Sequence, residues 1–391
     1  MSAPETMPAP EIVSSPQAAP KKRLVSLDAM RGANMFFIMG GSGLIALLMT
    51  TFWPDAPWAQ WIAGHMHHVN WHGFAHHDSI FPTFLFIAGC AFPFSFAGQL
   101  ARGRSKGRVA LKVVLRGLIL VLLGIIYNNG INFDFANLRY ASVLGHIGLG
   151  WMFAALIYMA FGAEKGARAR WFILALILIG YWLALRFIPV PGQAGADPFS
   201  MEGCLVSYFD QKFLPGKLHQ GIFDPEGILS VIPAIGTALL GIFTGEWLRK
   251  NGTDQDGWKK VAKLLIFGAA LVAIGLLWDK VFPINKKIWT SSFVCFVAGG
   301  DMIVLALFYA IIDVLRWRCW AFPFVVIGMN SITIYMAQQF IDFGYTRDYF
   351  FKNIIALACD RWQPILTSCA GIFVLWFFLY LLYRYKAFFK V

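Results

Sequence analysis

The chain has 391 residues, of which 58% are hydrophobic and only 14% charged, with a formal net charge of +12. With a mean hydropathy of +0.61, it has too little polar surface for a soluble globule of this length, which leaves a polytopic membrane protein. The basic residues are spread over many separate connections rather than gathered in one patch, which argues against nucleic acid as a partner.

Residues 1–22 are rich in Ala, Pro and Ser, cannot bury a core, and read as a disordered cytoplasmic tail. They hold no apolar stretch of the signal-peptide kind, so the first span is expected to be an uncleaved anchor. Residues 23–391 read as one transmembrane domain. Apolar stretches long enough to cross hydrocarbon as helices fall at 32–52, 79–98, 109–128, 140–162, 171–190, 227–248, 261–278, 291–315, 322–342 and 364–385. A further stretch, 348–360, is short and carries Lys352, and is expected to be re-entrant or interfacial. No β-barrel alternation appears. The expected fold is all-α: a polytopic integral membrane helix bundle of about ten transmembrane helices.

If ten spans alternate, one face collects Lys21, Lys22 and Arg23, then Arg102, Arg104, Lys106 and Arg108, then Lys165, Arg168 and Arg170, then Arg249, Lys250, Lys259 and Lys260, then Arg316 and Arg318, and finally Arg384, Lys386 and Lys390. The positive-inside rule makes that face cytoplasmic, with both termini on it. The opposite face, periplasmic in a bacterial inner membrane, carries long polar loops at 53–78, 191–226 and 279–290. Loops of this size in a membrane bundle tend to be functional, so the site is expected to open there. The six cysteines, Cys90, Cys204, Cys295, Cys319, Cys359 and Cys369, have no metal-ligand spacing and imply no disulfide framework.

The loop before the second span, His65-Met-His-His68-Val-Asn-Trp71-His-Gly73-Phe-Ala-His-His77-Asp78, sets ionisable groups at a bilayer boundary, where they are costly to desolvate and point to chemistry or transport. Asp78, with Pro82 close behind, either caps the helix that follows or orients His68, and the two roles are compatible. A metal site from His65, His67 and His68 is conceivable, since imidazole suits zinc. Asp28 and Arg31, three apart, fall on one helical face and can pair. Asp224 and Glu226 flank Pro225 at the outer mouth of the sixth span, where Asp-Pro-Glu also reads as a helix start. Asn285, Lys286 and Trp289 sit at the mouth of the eighth span, where lysines and aromatics are ordinary anchors. Asn330 and Ser331, after Gly328, need hydrogen-bond partners inside the ninth span, and His146 and Asp301 are further intramembrane ionisable suspects.

Separated motifs recur in a common order: Arg23-Leu-Val-Ser-Leu-Asp28-Ala-Met-Arg31-Gly32; His68-Val-Asn-Trp71-His-Gly73 followed by Asp78-Ser-Ile-Phe-Pro82; Asp224-Pro-Glu226-Gly; Pro283-Ile-Asn285-Lys286-Lys-Ile-Trp289; and Gly328-Met-Asn330-Ser331-Ile. With these motifs the chain resembles the heparan-α-glucosaminide N-acetyltransferase family, membrane enzymes that pass an acetyl group from cytosolic acetyl-CoA to a sugar amine on the far side. The resemblance covers residues 23–391.

It implies that His68 is catalytic, either as the base that takes a proton from the acceptor amine or as a transient acyl carrier. It implies acetyl-CoA as co-substrate, no metal, an amino sugar or related glycan as acceptor, a lipid bilayer around the bundle and a homodimer. Under it, Arg31 holds CoA phosphates or merely pairs with Asp28, and Arg108, Lys112 and Arg116 serve CoA or simply obey the inside rule. Asp224 and Glu226, with Trp71, Asn285 and Lys286, are the expected acceptor-binding residues. Asn330 and Ser331 either bond helix to helix or line a tunnel where the Asn330 amide meets the thioester carbonyl. One departure is Ser42, where human-type relatives have an asparagine thought to assist catalysis. The rival reading is an inner-membrane transporter of amino sugars, which ten helices with intramembrane polar residues would also suit. No clear repeat between the two halves of the chain supports it.

Overall fold

The computed structural model describes residues 24–132, 134–162, 166–193, 195–250 and 257–389. The expected tail 1–22 and Lys21, Lys22, Arg23, Lys165 and Lys390 lie outside the described residues.

In chain order, α1 (Val25–Phe36) runs through a π-turn (Phe37–Gly41) into α2 (Ser42–Phe52). Next come α3 (Pro57–His65), α4 (His76–Ala101), α5 (Lys106–Asn129), α6 (Val143–Phe161), α7 (Ala167–Phe187) and α8 (Leu205–Phe213). After them follow α9 (Val231–Lys250), α10 (Gly257–Asp279), α11 (Ser291–Phe308), which a second π-turn extends to Val314, α12 (Phe322–Met329), α13 (Ser331–Phe340), α14 (Phe343–Ile355) and α15 (Gln363–Arg384). Among the described residues, nine helices are long and apolar enough to cross a membrane, counting α1 with α2 as one, and the bent pair α12–α13 makes a tenth. The ten-span all-helical bundle read from the sequence is the fold.

Helices α4 and α9 are interior, with most of their residues buried and apolar side chains spread around the helix rather than along one face. Leu85, Phe86, Ile87 and Cys90 of α4 meet Ala238, Leu239 and Ile242 of α9 in the main core. Helices α5, α7 and α10 are peripheral and turn Leu111, Leu118, Leu176, Ile266 and Leu277 outward, as lipid requires. Successive spans alternate, so the connections after α4, α6, α9 and α11 and the end of α15 share one end. This basic end carries Arg102, Arg104, Arg168, Arg249, Lys250, Arg316, Arg318 and Arg384. The opposite end carries α3, α8, α14 and the long loops.

Three boundaries differ from the sequence reading. The first span begins at Val25 rather than at 32, because the Asp28–Arg31 ion pair lets charged residues enter the bundle. The span expected at 322–342 is broken, turning by 61° at Asn330, whose backbone (φ −129°, ψ 32°) leaves the helical region. The stretch expected at 348–360 is the helix 343–355, which has no buried residue and therefore does not re-enter the bundle. At the basic end α1 and α12 touch backbone to backbone: a Cβ on Gly32 would overlap the Phe324 carbonyl, and one on Gly328 the Asp28 carbonyl.

Candidate functional site

The histidine loop is fixed at both ends. Gly73, at φ +107°, makes a turn that a side chain would strain, and its N–H donates to the Ile284 carbonyl at 2.8 Å, tying this loop to the 279–290 turn. Asp78 stands in the first turn of α4, and its Oδ2 accepts from the backbone N–H of Ala75 (3.1 Å) and Val69 (3.4 Å). Its Oδ1 lies 2.7 Å from Nδ1 of His68. Cap and imidazole partner, the two readings of Asp78, are one arrangement.

A carboxylate only accepts, so the pair fixes the Nδ1–H tautomer of His68 and leaves Nε2 as the basic nitrogen. The Asp78 side chain is 2% exposed and that of His68 50%, so a buried carboxylate aims an open imidazole. That imidazole borders a cleft of about 380 Å³ lined by Phe37, Ile38, Gly40, Ser42, Gly43, Met66, His67, His68 and His77. The π-turn supplies the first three of these residues, and such turns interrupt helices where a site needs room.

A second imidazole and an ammonium complete the cluster. The ring of His77 stands edge-on to His68 at 4.4 Å, and Ser42 Oγ is 3.0 Å from His77 Nδ1. The departure at Ser42 therefore touches the site. Lys286 Nζ lies 3.3 Å from His68 Nδ1 and 3.8 Å from Asp78 Oδ1. Burial pulls the Lys286 ammonium below the usual lysine range, while Asp78 and Glu226 oppose the shift.

Asn285 builds the turn that presents Lys286: its Oδ1 accepts from the N–H of Lys287 (2.7 Å) and Ile288 (3.2 Å). Trp289 closes the turn in the left-handed region at φ +51°, a conformation that costs an aromatic residue about 1–3 kcal/mol. Complete burial and an indole N–H bond to Thr237 Oγ1 at 3.1 Å hold it there. Of the expected acceptor-binding residues, Lys286 reaches His68, while Asn285 supports it. Trp71 gives its indole N–H to the Phe199 carbonyl (2.8 Å) and packs edge-on against Phe223, bracing the loop.

Asp224 and Glu226 meet Arg139, which the sequence reading missed. The guanidinium bonds Asp224 through Nε (2.8 Å) and Nη2 (2.7 Å) and Glu226 through Nη2 (2.5 Å). Burial disfavours each of these charges, yet the pairing raises Arg139 above the usual arginine value and holds Asp224 below the usual carboxylate range. For Glu226 burial wins, and its pKa goes up. Helix α9 begins only at Val231, so the two acids precede its first turn. Asp210 of α8, fully buried, accepts from the N–H of Ile228 (3.0 Å) and Asp224 (3.4 Å), and burial pushes its pKa up to about 7. The available signal for Arg139 was that it is the single basic residue of the connection 130–142, on the face that the positive-inside rule leaves poorer in charge. His146 lies close by, its ring against Trp289 at 4.7 Å and Phe81 at 5.3 Å, with neither nitrogen hydrogen-bonded among the described residues.

The remaining expected residues lie toward the basic end. Arg31 Nη1 is 3.2 Å from Asp28 Oδ1, the ion pair that the spacing allows. Arg116 stacks over Trp151 at 4.7 Å, its Nε buried and without a hydrogen bond among the described residues, and feels the charge of Arg31. The Asn330 amide donates to the Ala387 carbonyl (3.2 Å), and Asn330 follows directly on the Gly328 contact with α1. It is therefore level with Arg31 and directed away from the His68 cleft, and Ser331 opens α13 beside it. Eleven positions separate Arg31 from Ser42, and the π-turn with Gly40 at φ +116° lies between them. His65 packs edge-on to Trp61 (4.1 Å) while His68 turns to Asp78, so the imidazoles of 65, 67 and 68 do not converge on one point.

No family model matches the chain. Over 94% of its length it is 27% identical to human (Homo sapiens) heparan-alpha-glucosaminide N-acetyltransferase, and over 95% it is 25% identical to the mouse (Mus musculus) protein of that name. The chain is similar to these acetyltransferases almost throughout. The resemblance carried by the motifs thus extends across the whole bundle, from the first span to the last. The chain spans about three fifths of the length of these relatives, 60% of the human and 62% of the mouse protein.

Proposed function

We propose that the protein is a membrane-embedded acyltransferase that moves an acetyl group from acetyl-CoA on the basic, cytoplasmic side to the amine of an amino sugar or related glycan on the other side. The observation that carries this reading is the His68–Asp78 pair: a buried carboxylate 2.7 Å from one nitrogen of a half-exposed imidazole that borders a cleft. The carboxylate orients the ring and stabilises an imidazolium. The acceptor nitrogen attacks the thioester carbonyl, the C–S bond breaks, and the nitrogen's proton passes to His68 Nε2 and on to the CoA thiolate. In the two-step variant Nε2 itself attacks the carbonyl and the C–S bond breaks to release the CoA thiolate; the amine then displaces the acetyl group from the imidazole, and its proton passes through the freed ring nitrogen to the thiolate.

The donor's phosphates bind at Arg31 and Arg116, where guanidinium forks suit phosphate oxygens, with Asn330 and Ser331 flanking the entrance. The pantetheine arm then runs between helices toward Ser42 and His68. Lys286 and the surfaces above it receive the acceptor, while Arg139 stiffens the mouth through Asp224 and Glu226. Residues 23–391 act as one domain of a bacterial inner-membrane homodimer.

Sealed vesicles of known orientation test the reading, with radiolabelled acetyl-CoA on the basic side and glucosamine on the other. Labelled N-acetylglucosamine supports it. Unmodified glucosamine crossing without label refutes it in favour of the carrier.

A further inference from the structure

One buried ionisable group in the bundle serves neither the His68 pair nor the basic end. Asp301, in α11, is 5% exposed. Its Oδ1 meets the Thr83 hydroxyl at 2.6 Å, but that hydroxyl also lies 2.8 Å from the Ser79 carbonyl and has one hydrogen for two acceptors. Its Oδ2 is buried and meets no donor among the described residues. A carboxyl oxygen left so in a membrane bundle is costly and marks a path along which a polar ligand passes.

The position of Asp301 says which ligand. It faces α4 at Thr83, five residues, or about 8 Å of helix rise, from Asp78 toward Cys90, which feels the charge of Arg31. It therefore lies between the His68 pair and the arginines, where α1, α4 and α11 pack together. Leu85 and Leu305, close by along the same helices, offer an amide nothing to bond.

We propose that Asp301, supported by Thr83, accepts a hydrogen bond from an amide N–H of the donor's pantetheine arm inside the bundle. The proposal rests on the reading of acetyl-CoA as donor. The arm's buried N–H and the orphaned Oδ2 each supply what the other lacks, so neither pays the desolvation of an unmade bond.

Binding of CoA and of adenosine 3′,5′-bisphosphate, which has the nucleotide but no arm, is measured on full-length protein in lipid nanodiscs. Asp301→Leu is expected to weaken CoA about tenfold or more and leave the bisphosphate unchanged. Asp301→Asn, which keeps an acceptor oxygen, stays within about threefold of wild type for both. An Asp301→Leu variant that loses both ligands equally, or neither, overturns the proposal, and the Asn variant and a melting curve separate loss of the arm's partner from loss of fold. Wild-type protein that binds neither ligand instead sinks the donor reading itself.

Discussion

Two sites with buried carboxylates stand at the same end of the bundle, and they spend their polar atoms differently. At Asp78 a buried acid spends one oxygen on backbone N–H groups and the other on an imidazole that is half exposed. At Asp224 and Glu226 the acids are locked by Arg139, and Asp224 also takes the N–H of His219 and Glu226. The first keeps a half-exposed imidazole beside a cleft, whereas the second sets one guanidinium between two carboxylates and spends its polar atoms internally. Acidic residues at a membrane mouth are thus no signature by themselves; what matters is which polar atoms remain unspent.

Breaking the clamp should cost the most. Arg139→Met leaves two buried acids unpaired and is expected to destabilise the protein by about 3–5 kcal/mol, read as a fall in melting temperature. If melting is unchanged, the clamp is not structural. Asp78→Asn should slow acetyl transfer about 100-fold with melting near wild type, since the cap survives but the imidazole loses its charged partner. A rate within twofold of wild type would put Asp78 back to capping alone.

Asp210 sharpens the contrast through pH. Its pKa is about 7 in the fold against an ordinary carboxylate value in the unfolded chain, so between those values the folded protein holds a proton that the unfolded chain has released. Stability from this group is full at acid pH and falls as pH rises toward 7, by an amount on the order of a few kcal/mol. Asp210→Asn should flatten that slope, and an identical melting profile between pH 5 and 8 in wild type and variant would contradict the assignment. The smallest effect is expected at Ser42→Ala, a rate change of about threefold to tenfold from the lost contact with His77, with no effect on the Arg139 clamp.

The bundle was legible in the sequence because lipid leaves one solution: about twenty apolar residues per span, with positive charge at one end. His68 and Asp78 were legible as neighbours because they flank one helix start. Arg139 and Asp224 are 85 positions apart and meet only through the fold, which no local pattern encodes. The depth of Asn330 was hidden for a related reason: its place in a span was visible, but depth follows from the bend at 330 and the close approach of Gly32 and Gly328. The turn-building role of Asn285 was not legible, because a turn-building amide and a substrate-binding one are the same residue in sequence.

Acetyl transfer by His68→Ala protein, measured beside its melting temperature and its binding of CoA, tests the central claim most directly. The account predicts a loss of about a thousandfold or more in rate, with fold and CoA binding intact. Transfer at the wild-type rate would contradict it.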